Sequence, residues 1–360
     1  MSLPTTMQAM VTMGHGDIDQ LVWHEDWPVP EAGPGEVLVK VKACGLNNTD
    51  VNTRSGWYSK AVTEATTGDG YAEVHEEDPS WGGNAITFPR IQGADICGII
   101  EAVGEGVDPA RIGERVITDN WLRDPNEPEN LNKTGYLGSE VNGGFAEYAA
   151  LPSRNLLAVN SDYTDAELAT FSCSYSTAEG MLTRANVGEA DTVFVPGASG
   201  GVGGAVVQLA KLRGARVLAL TTADKAEAVK ALGADKIIDR NEANWSGQLG
   251  DEVISVVADV VGGTDWPDFL DLLQRGGRYT CSGAIAGPIV SFDLRTFYLR
   301  DLTFTGSTVI SPQVMPRLIS YIEAKAIKPV LAATYALKDL HVAQTAFINK
   351  AHVGNIVVCP

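Results

Sequence analysis

The hydrophobic pattern divides the chain into a first part of strands and turns and a later part in which strands and helices alternate. Residues 37–43 alternate apolar and polar positions as a half-buried strand does, and similar segments follow at 96–103 and 115–117. From about residue 165, short apolar runs alternate with helical patterns. These runs predict strands at 192–195, 216–220, 236–238, 255–258, 277–281 and 303–306. Such alternation is typical of a doubly wound parallel sheet.

Two polar stretches interrupt this pattern. Residues 61–90 lack clear periodicity and are interpreted as an irregular insertion or lid, and residues 119–142 are a polar loop rich in Asn, Asp and Pro. After the alternating region, a helix is predicted at 316–325 and a last strand at 356–359. With 360 residues, the chain is expected to form two domains.

The most informative local pattern is a glycine-rich turn between the apolar strand 193–195 and an amphipathic helix. The residues of this turn are Gly197, Ser199, Gly200, Gly201, Val202 and Gly203. Glycines there permit a tight turn and a close approach of the backbone to a diphosphate, and the helix N-terminus offers unpaired N–H groups to it. The turn therefore predicts a dinucleotide site. The alternative is a glycine-rich loop of another α/β unit.

The end of the next strand bears on which dinucleotide is bound. An NAD site usually carries a carboxylate at this point, which accepts from the ribose 2′-hydroxyl. Here the strand ends in Thr221 and Thr222, and Lys225 follows, so these residues are expected to receive a 2′-phosphate. Asp224 is the evidence against this, although a carboxylate there also suits a helix N-cap. The sequence favours NADPH as the cofactor.

Net charge, hydropathy and cysteine spacing indicate which partners and which cellular compartment to expect for this protein. The net charge of −18 argues against nucleic acid or an anionic membrane as a partner. No stretch has the pattern of a signal peptide or a bilayer span, so no membrane association is expected. The five cysteines are scattered without a C-x-x-C pair, which favours a reduced, cytoplasmic protein.

Six separated motifs together resemble the medium-chain dehydrogenase/reductase superfamily over essentially the full length. They are the glycine turn and the segments 34–41, 44–50, 93–104, 113–116 and 144–148. The resemblance implies an α/β protein with a GroES-like, β-rich substrate domain formed by residues 1–160 and 312–360. A Rossmann NADPH-binding domain, residues 161–311, would be inserted between these two segments.

Zinc alcohol dehydrogenases of this superfamily hold their catalytic zinc through a Cys, a His and a Cys. The positions resembling these ligands are Asn47, Ala94 and Cys173. Alanine has no donor atom and asparagine is a poor zinc ligand, so we expect no metal, and Cys173 is interpreted as a buried small apolar residue. The structural-zinc lobe of these enzymes needs four cysteines, and residues 119–142 contain none. The alternative is a rearranged zinc site drawn from Cys173, Asp50, Asp95 or His75.

Residues 47–58 and the length of the glycine turn are instead similar to the zinc-independent quinone oxidoreductase branch. In that branch, a Ser or Thr, a Lys and a residue near the C-terminus hold the 2′-phosphate, which implies Thr222, Lys225 and Lys350. Arg240 stands where a tyrosine is often used and could serve as a phosphate ligand. Val261 and Gly283 lie in loops that follow strands of the sheet and are expected to line the nicotinamide.

Three polar residues are candidates for the chemistry. The Asn47 amide could donate a hydrogen bond to a substrate carbonyl oxygen, and Tyr58 could donate a hydrogen bond or a proton. Asp50 more plausibly orients its neighbours or caps a turn. The competing interpretation is a polar turn that caps a short helix near 51–54, with Tyr58 serving only in packing.

These observations predict an NADPH-dependent reductase of quinones or α,β-unsaturated carbonyl compounds. The alternatives are a zinc-free oxidoreductase of alcohols or aldehydes and a non-catalytic NADPH-binding protein. We expect a homodimer formed through the edge strand at 302–305, as the family pairs that edge. The insertion at 61–90 is expected to be a lid over the pocket or, alternatively, a passive loop.

Overall fold

The structure is a computed structural model that describes residues 3–66, 83 and 85–360. Its first part is built mainly from strands. They are β1 (Thr6–Thr12), β2 (Leu21–Pro28), β3 (Glu36–Gly45), β4 (Asp95–Val103), β5 (Arg115–Thr118), β6 (Trp121–Arg123), β7 (Thr134–Tyr136), β8 (Tyr148–Pro152) and β9 (Leu156–Ala158). Helix α1 (Asn48–Ser55) follows β3, and α2 (Asp165–Leu168) and α3 (Ser172–Arg184) lead out of this part.

The second part alternates strands and helices as predicted. Its strands are β10 (Thr192–Pro196), β11 (Arg216–Thr221), β12 (Lys236–Asp239), β13 (Ile254–Asp259), β14 (Leu273–Cys281) and β15 (Thr303–Gly306). The helices among them are α4 (Gly201–Leu212), α5 (Ala226–Ala231), α6 (Trp266–Asp271) and α7 (Leu294–Tyr298). The chain then forms α8 (Val314–Glu323), β16 (Leu331–Ala336), α9 (Leu340–Ile348) and β17 (Asn355–Cys359).

The strands β10 to β15 form a parallel sheet of six strands, in the order β12-β11-β10-β13-β14-β15. This is the doubly wound order in which the direction of winding reverses between β10 and β13. Ligands of such sheets bind outside the carboxyl ends of the strands at that reversal. The predicted Rossmann-type α/β fold is confirmed.

The second sheet joins the two ends of the chain. In the described residues it has seven strands, ordered β16-β17-β3-β4-β5-β9, with β8 paired to β3. Because β17 pairs with β3, strands from after the parallel sheet complete the GroES-like sheet that β3 begins, whereas β1 and β2 form a separate pair. The boundaries predicted at 160 and 312 remain a prediction, although the strands of each sheet fall on the expected sides of them.

One expectation about the polar stretch 119–142 needs correction. Within it, β6 and β7 form an antiparallel pair in which Trp121 faces Tyr136. Both side chains are buried, and their rings meet edge to face with centroids 5.0 Å apart. Two aromatic residues separated by a long polar run give no periodic signal, and the pair forms because each ring buries the other.

Candidate active site

A cleft of about 510 Å³ lies between the two sheets, at the carboxyl ends of the parallel strands. Its walls come from α1, β6 and β7 on one side and from the glycine turn and the loops after β13, β14 and β15 on the other. Helix α3 and the segment before β17 close the cleft between these walls. The cleft therefore joins the predicted cofactor residues to the predicted substrate residues.

The glycine turn has the geometry of a phosphate cradle. Gly197 has a φ of +65°, a conformation that side chains rarely adopt. A Cβ on Gly203 would lie 2.2 Å from the Gly197 carbonyl oxygen, so only glycine lets the helix pack this closely on the turn. Helix α4 begins after Gly200 without a side-chain cap, so its first N–H groups remain available to an anion.

The end of the chain docks on this turn. The Gly354 N–H donates to the Ser199 carbonyl at 2.9 Å, and Ser174 Oγ donates to Asn355 Oδ1 at 2.8 Å. The Asn355 Nδ2 atom is buried, borders the cleft and makes no hydrogen bond within the described residues. A buried amide donor beside a glycine cradle fits a dinucleotide diphosphate, so the residues present suit such a cofactor.

The residues predicted around a 2′-phosphate are brought together in part. Thr222, Lys225 and Arg240 lie near Asp224, and the Thr222 hydroxyl and the charges of the two cations lower the pKa of this carboxyl. The Thr221 hydroxyl is buried and has no hydrogen-bond partner in the part of the chain described. Lys225 and Arg240 therefore make the surroundings of the Asp224 carboxylate electropositive.

The Lys350 ammonium lies elsewhere in the cleft. Its Nζ donates to Asn48 Oδ1 at 2.8 Å and lies 3.6 Å from the centroid of the Phe347 ring. Burial lowers the pKa of Lys350 to about 7. Burial and the charges of Lys350 and Lys225 lower the pKa of His352 to about 4, so this imidazole is neutral at pH 7. Only the backbone of Lys350 reaches the group formed by Thr222, Lys225 and Arg240, because the Lys350 carbonyl oxygen accepts from Lys225 Nζ at 2.6 Å.

The loops expected to line a nicotinamide do border the cleft. Val261 and Gly283 both lie in its wall. The Asp259 carboxylate at the end of β13 fixes the first loop, since it accepts from the Val261 N–H at 2.7 Å and from the Tyr279 hydroxyl at 2.7 Å. A rigid apolar wall results, which suits the flat ring of a nicotinamide.

Asn47 and Asp50 occupy the start of α1. Asn47 is the N-cap, and its backbone N–H donates to Asp50 Oδ2 at 2.8 Å. Asp50 Oδ1 accepts from the Gly93 N–H at 3.2 Å, and burial raises the pKa of this carboxyl to about 7. The Asn47 amide borders the cleft and its Nδ2 makes no hydrogen bond within the described residues, whereas Asp50 lies behind it, outside the cleft lining. Asp50 is thus placed to hold Asn47 rather than to touch a substrate.

Tyr58 borders the mouth of the cleft. The residue is 39% exposed, and its ring packs edge to face on Trp57 at 5.6 Å. Burial of the hydroxyl end raises its pKa to about 12, against the opposing effect of hydrogen bonds with Thr49 and Asn52. The hydroxyl is therefore a hydrogen-bond donor at neutral pH and a poor proton donor.

The positions that resemble zinc ligands do not offer a zinc site. Ala94 is buried and has no donor, while the Asp95 carboxylate next to it accepts from Asn120 at 2.6 Å and from the Cys173 N–H at 3.0 Å. No group of three or more His, Cys, Asp or Glu side chains in residues 3–66, 83 and 85–360 is placed to hold a metal ion. His75 lies outside the described residues. The donor set does not fit a catalytic zinc.

Cys173 differs from its predicted role. It is half-buried and borders the cleft instead of lying in the apolar core. Burial and the charge of Asp95 raise the pKa of its thiol to about 12, so the sulfur stays protonated. All five cysteines are free.

Sequence reasoning missed several residues of the cleft. Trp121 and Tyr136 come from the stretch interpreted as a loop, Ser307 follows the edge strand β15, and Asn355 begins β17, which lies between β16 and β3. Ser307 could have been found, since it comes directly after β15 and ligands bind at the carboxyl ends of parallel strands. The two aromatic residues carry no such signal.

The predicted lid can be described only at its base. The Thr66 backbone N–H donates to the Ile285 carbonyl at 3.0 Å. This hydrogen bond links the loop that follows α1 to the side of the cleft where the nicotinamide is expected. Residues 67–82 and 84 lie outside the described residues, so the lid remains a prediction. Among the helices described, none combines the length and apolar character needed to cross a bilayer.

Comparison with known proteins matches both halves of the chain to dehydrogenase families. The alcohol dehydrogenase GroES-like domain family matches residues 33–161, and the zinc-binding dehydrogenase family matches residues 201–324. The second name describes the family, and the residues it matches do not include Asn47, Ala94 or Cys173, the positions that resemble zinc ligands.

Three relatives match almost the whole chain. A crystal structure from Sinorhizobium meliloti 1021, provisionally described as an alcohol dehydrogenase, is 45% identical with a TM-score of 0.91, covering 99% of this chain and 98% of its own. The acryloyl-coenzyme A reductase of Metallosphaera sedula is 28% identical over 98% of this chain and 99% of its own length. The quinone oxidoreductase of Rattus norvegicus is 28% identical over 96% of this chain and 95% of its own.

The names of these relatives describe oxidoreductases of different substrates, and the cleft described above carries a glycine cradle that suits a nicotinamide dinucleotide. The chain belongs to the medium-chain dehydrogenase/reductase superfamily.

Proposed function

We propose that this protein is an NADPH-dependent reductase of quinones or α,β-unsaturated carbonyl compounds that works without catalytic zinc. The observation that carries the proposal is the set of groups at the zinc-ligand positions. Ala94 has no donor and Asn47 offers an amide, so the chain stabilises a substrate oxygen by hydrogen bonds. The acryloyl-coenzyme A and quinone reductases among its relatives act on conjugated carbonyls, which supports this substrate class.

The chemistry follows from the limited strength of such donors. The cofactor supplies a hydride. In a conjugated carbonyl the developing charge is delocalised, so an amide donor contributes enough stabilisation, whereas a simple ketone concentrates the charge on one oxygen. The free N–H of Asn47 is the proposed donor, with Asp50 as its positioning residue. Tyr58 at the cleft mouth would donate a further hydrogen bond.

The preference for NADPH rests on the group formed by Thr222, Lys225 and Arg240. Two cations and a hydroxyl surround Asp224, and a 2′-phosphate carries enough negative charge to compete for them. The buried, unpartnered hydroxyl of Thr221 is a further donor near this point. Because the Lys350 ammonium lies at Asn48, we propose that it binds the cofactor nearer to the diphosphate than to the 2′-phosphate.

The protein is further proposed to be a homodimer that pairs through β15. Among the residues that the structure describes, this strand pairs with β14 and with no other strand, which leaves its second edge open. The segment before it exposes several apolar side chains, namely Ile289, Val290, Phe292, Leu294, Tyr298 and Leu299. An open strand edge beside an apolar surface favours self-association, and light scattering of the purified protein measures the resulting mass.

A second candidate function is oxidation of alcohols or reduction of simple aldehydes, which the description of the Sinorhizobium protein favours. One experiment separates the candidates: NADPH consumption is followed over quinones, enones, aldehydes and alcohols, with and without a chelator. The proposal expects turnover of quinones or enones that the chelator does not change, and elemental analysis with well under one zinc per chain. Chelator-sensitive turnover of alcohols contradicts it, and absence of any turnover favours a non-catalytic NADPH-binding protein.

A further inference from the structure

The charges that border the cleft are confined to one part of it. The cleft has a cofactor half, formed by the glycine turn, the loops after β13 to β15 and the segment before β17, and a substrate half, formed by α1, the segment after it, β6, β7 and the start of α3. Among the described residues that border the cleft, none is Asp, Glu or Arg, and Lys350 is the one cation, since the His352 imidazole is neutral at pH 7. The Lys350 carbonyl accepts from Lys225 Nζ at 2.6 Å, and Gly354 in the same segment docks on the glycine turn. Lys350 therefore belongs with the groups proposed to hold the anionic cofactor.

The substrate half is lined by aromatic side chains. Trp57 and Tyr58 border it from the segment after α1, and Trp121 and Tyr136 border it from β6 and β7. Trp57 Nε1 donates to the Glu64 carbonyl at 2.9 Å, which fixes that ring. The Trp121 and Tyr136 rings fix each other, with centroids 5.0 Å apart. Flat, conjugated molecules pack favourably against such walls.

The polar group that this half offers to a substrate oxygen is uncharged. Asn47 is buried, and its Nδ2 makes no hydrogen bond within the described residues. An amide donor of this kind satisfies a carbonyl oxygen, whereas a phosphate or carboxylate pairs best with Arg or Lys. The described part of the substrate half thus provides stacking and a hydrogen bond to a ligand, without a cation.

The residues between Thr66 and Ala85 that lie outside the described ranges do not supply the missing cation. Residues 67–82 contain five Asp and Glu side chains and no Lys or Arg, and residue 84 is Asn. This stretch follows directly on Thr66, which borders the cleft and donates its backbone N–H to the Ile285 carbonyl at 3.0 Å. Because the whole chain has a net charge of −18, an anion that approaches the substrate half is repelled without a compensating contact.

We propose that the substrates are uncharged, flat, conjugated carbonyl compounds, and that anionic compounds, coenzyme A thioesters among them, are excluded by their charge. This inference rests on the proposed function and narrows its substrate class. The phosphates of coenzyme A carry several negative charges, which proteins bind through Lys and Arg, and the described part of the substrate half offers neither. The proposal separates this chain from the acryloyl-coenzyme A reductase of Metallosphaera sedula, whose name describes action on such a thioester.

The first test compares neutral and anionic substrates that carry the same reactive group. One pair is cinnamoyl-N-acetylcysteamine and cinnamoyl-coenzyme A, and the other is naphthoquinone and its sulfonate. With saturating NADPH at about 0.01 M salt, kcat/KM for the neutral thioester should exceed that for the coenzyme A thioester by about 10-fold or more. At about 1 M salt the Debye length falls from about 30 Å to about 3 Å, so the neutral-to-anionic ratio of kcat/KM should fall severalfold for both pairs. Salt separates charge from size, because steric exclusion does not respond to it.

The second test adds the cation that the substrate half lacks. Thr66→Arg places a guanidinium on a residue that borders the cleft, and Thr66→Gln is the uncharged control of similar length. At low salt, the neutral-to-anionic ratio of kcat/KM should be about 10-fold lower in Thr66→Arg than in Thr66→Gln, since a cation beside a cleft increases the rate at which anions enter it.

Two results would overturn the inference. One is a wild type that turns over the coenzyme A thioester as well as its neutral partner at low salt. The other is a neutral-to-anionic ratio that stays the same at high salt and in Thr66→Arg, which would assign the preference to size. A wild type that reduces no compound of either pair contradicts the proposed function instead, which distinguishes the two failures.

Discussion

The two halves of the cleft are built in different ways. The phosphate cradle of the cofactor half is a continuous stretch, in which strand β10, the glycine turn and helix α4 follow one another and the backbone provides the contacts. The substrate half combines single side chains from separate places: Asn47 from α1, Asp95 from β4, Tyr136 from β7 and Cys173 from α3. Backbone sites tolerate side-chain change except at glycines, whereas a site of separate side chains depends on each hydrogen bond among them.

The largest expected effect is on the cofactor half, from Gly203→Val. A Cβ there would lie 2.2 Å from the Gly197 carbonyl, so the turn must move. Crowding of this kind costs about 3 kcal/mol of unfolding free energy, and NADPH affinity should fall by about 100-fold. Fluorescence titration and urea unfolding measure both. The control is Gly204→Ala, whose Cβ would lie 3.1 Å from the Leu232 side chain and 3.6 Å, an ordinary contact distance, from the Ala198 carbonyl oxygen. Equal effects in both variants would refute a special role for the Gly203 contact.

The substrate half should be sensitive to pH through Asp95. Burial raises the pKa of this carboxyl from 3.8 to about 6, so the folded protein holds its proton more tightly than the unfolded chain does. The stability that this proton contributes is complete below about pH 4 and is lost as the pH rises through about 6. Relative to Asp95→Asn, the wild type should therefore lose about 2–3 kcal/mol across this interval.

Urea unfolding of both proteins at pH 4.5, 5.5, 6.5 and 7.5 measures that difference. The comparison between the two proteins removes the contribution of the other carboxylates in a chain of net charge −18. A difference that stays constant over these pH values would show that Asp95 is ionised in both the folded and the unfolded protein.

A smaller and more selective effect is expected from Lys225→Ala. Its ammonium is near Asp224 and Arg240 in the proposed 2′-phosphate group. The variant should bind NADPH about 1–3 kcal/mol more weakly, the usual size for a charged hydrogen bond. The affinity for NADH should change little, because the other contact that the variant loses is the one between Lys225 and the Lys350 carbonyl, within the protein. Lys230→Ala, an exposed change on α5, is the control, and equal losses for both cofactors would contradict the assignment.

The smallest expected effect is on the stability of Thr221→Val. The Thr221 hydroxyl is buried without a partner in the described residues, so its replacement by a methyl group should change the unfolding free energy by no more than about 0.5 kcal/mol. NADPH affinity should nevertheless fall severalfold, since the hydroxyl is proposed to serve the cofactor. A clear loss of stability without a loss of affinity would instead assign Thr221 to the fold.

The difference between the halves also explains what the sequence could predict. Strands 192–195, 216–220 and 303–306 and the glycine turn were found because local patterns encode them, and the structure confirms each strand within a residue or two. The pairing of Trp121 with Tyr136 was missed because the residues are separated by a polar run that carries no period. The resemblance groups Lys350 with Lys225, whereas the structure shows that the Lys350 ammonium contacts Asn48.

The docking of the chain's end on the glycine turn has a consequence for biosynthesis. Strand β17 pairs with β3, and the Gly354 N–H donates to the Ser199 carbonyl, so both contacts form only after β17 has left the ribosome. The parallel sheet, by contrast, is complete in the nascent chain some fifty residues earlier and can fold while synthesis continues. Synthesis of β17 therefore allows the GroES-like sheet to close and the glycine turn to be held in the same event, so the cleft is assembled after the parallel sheet has formed.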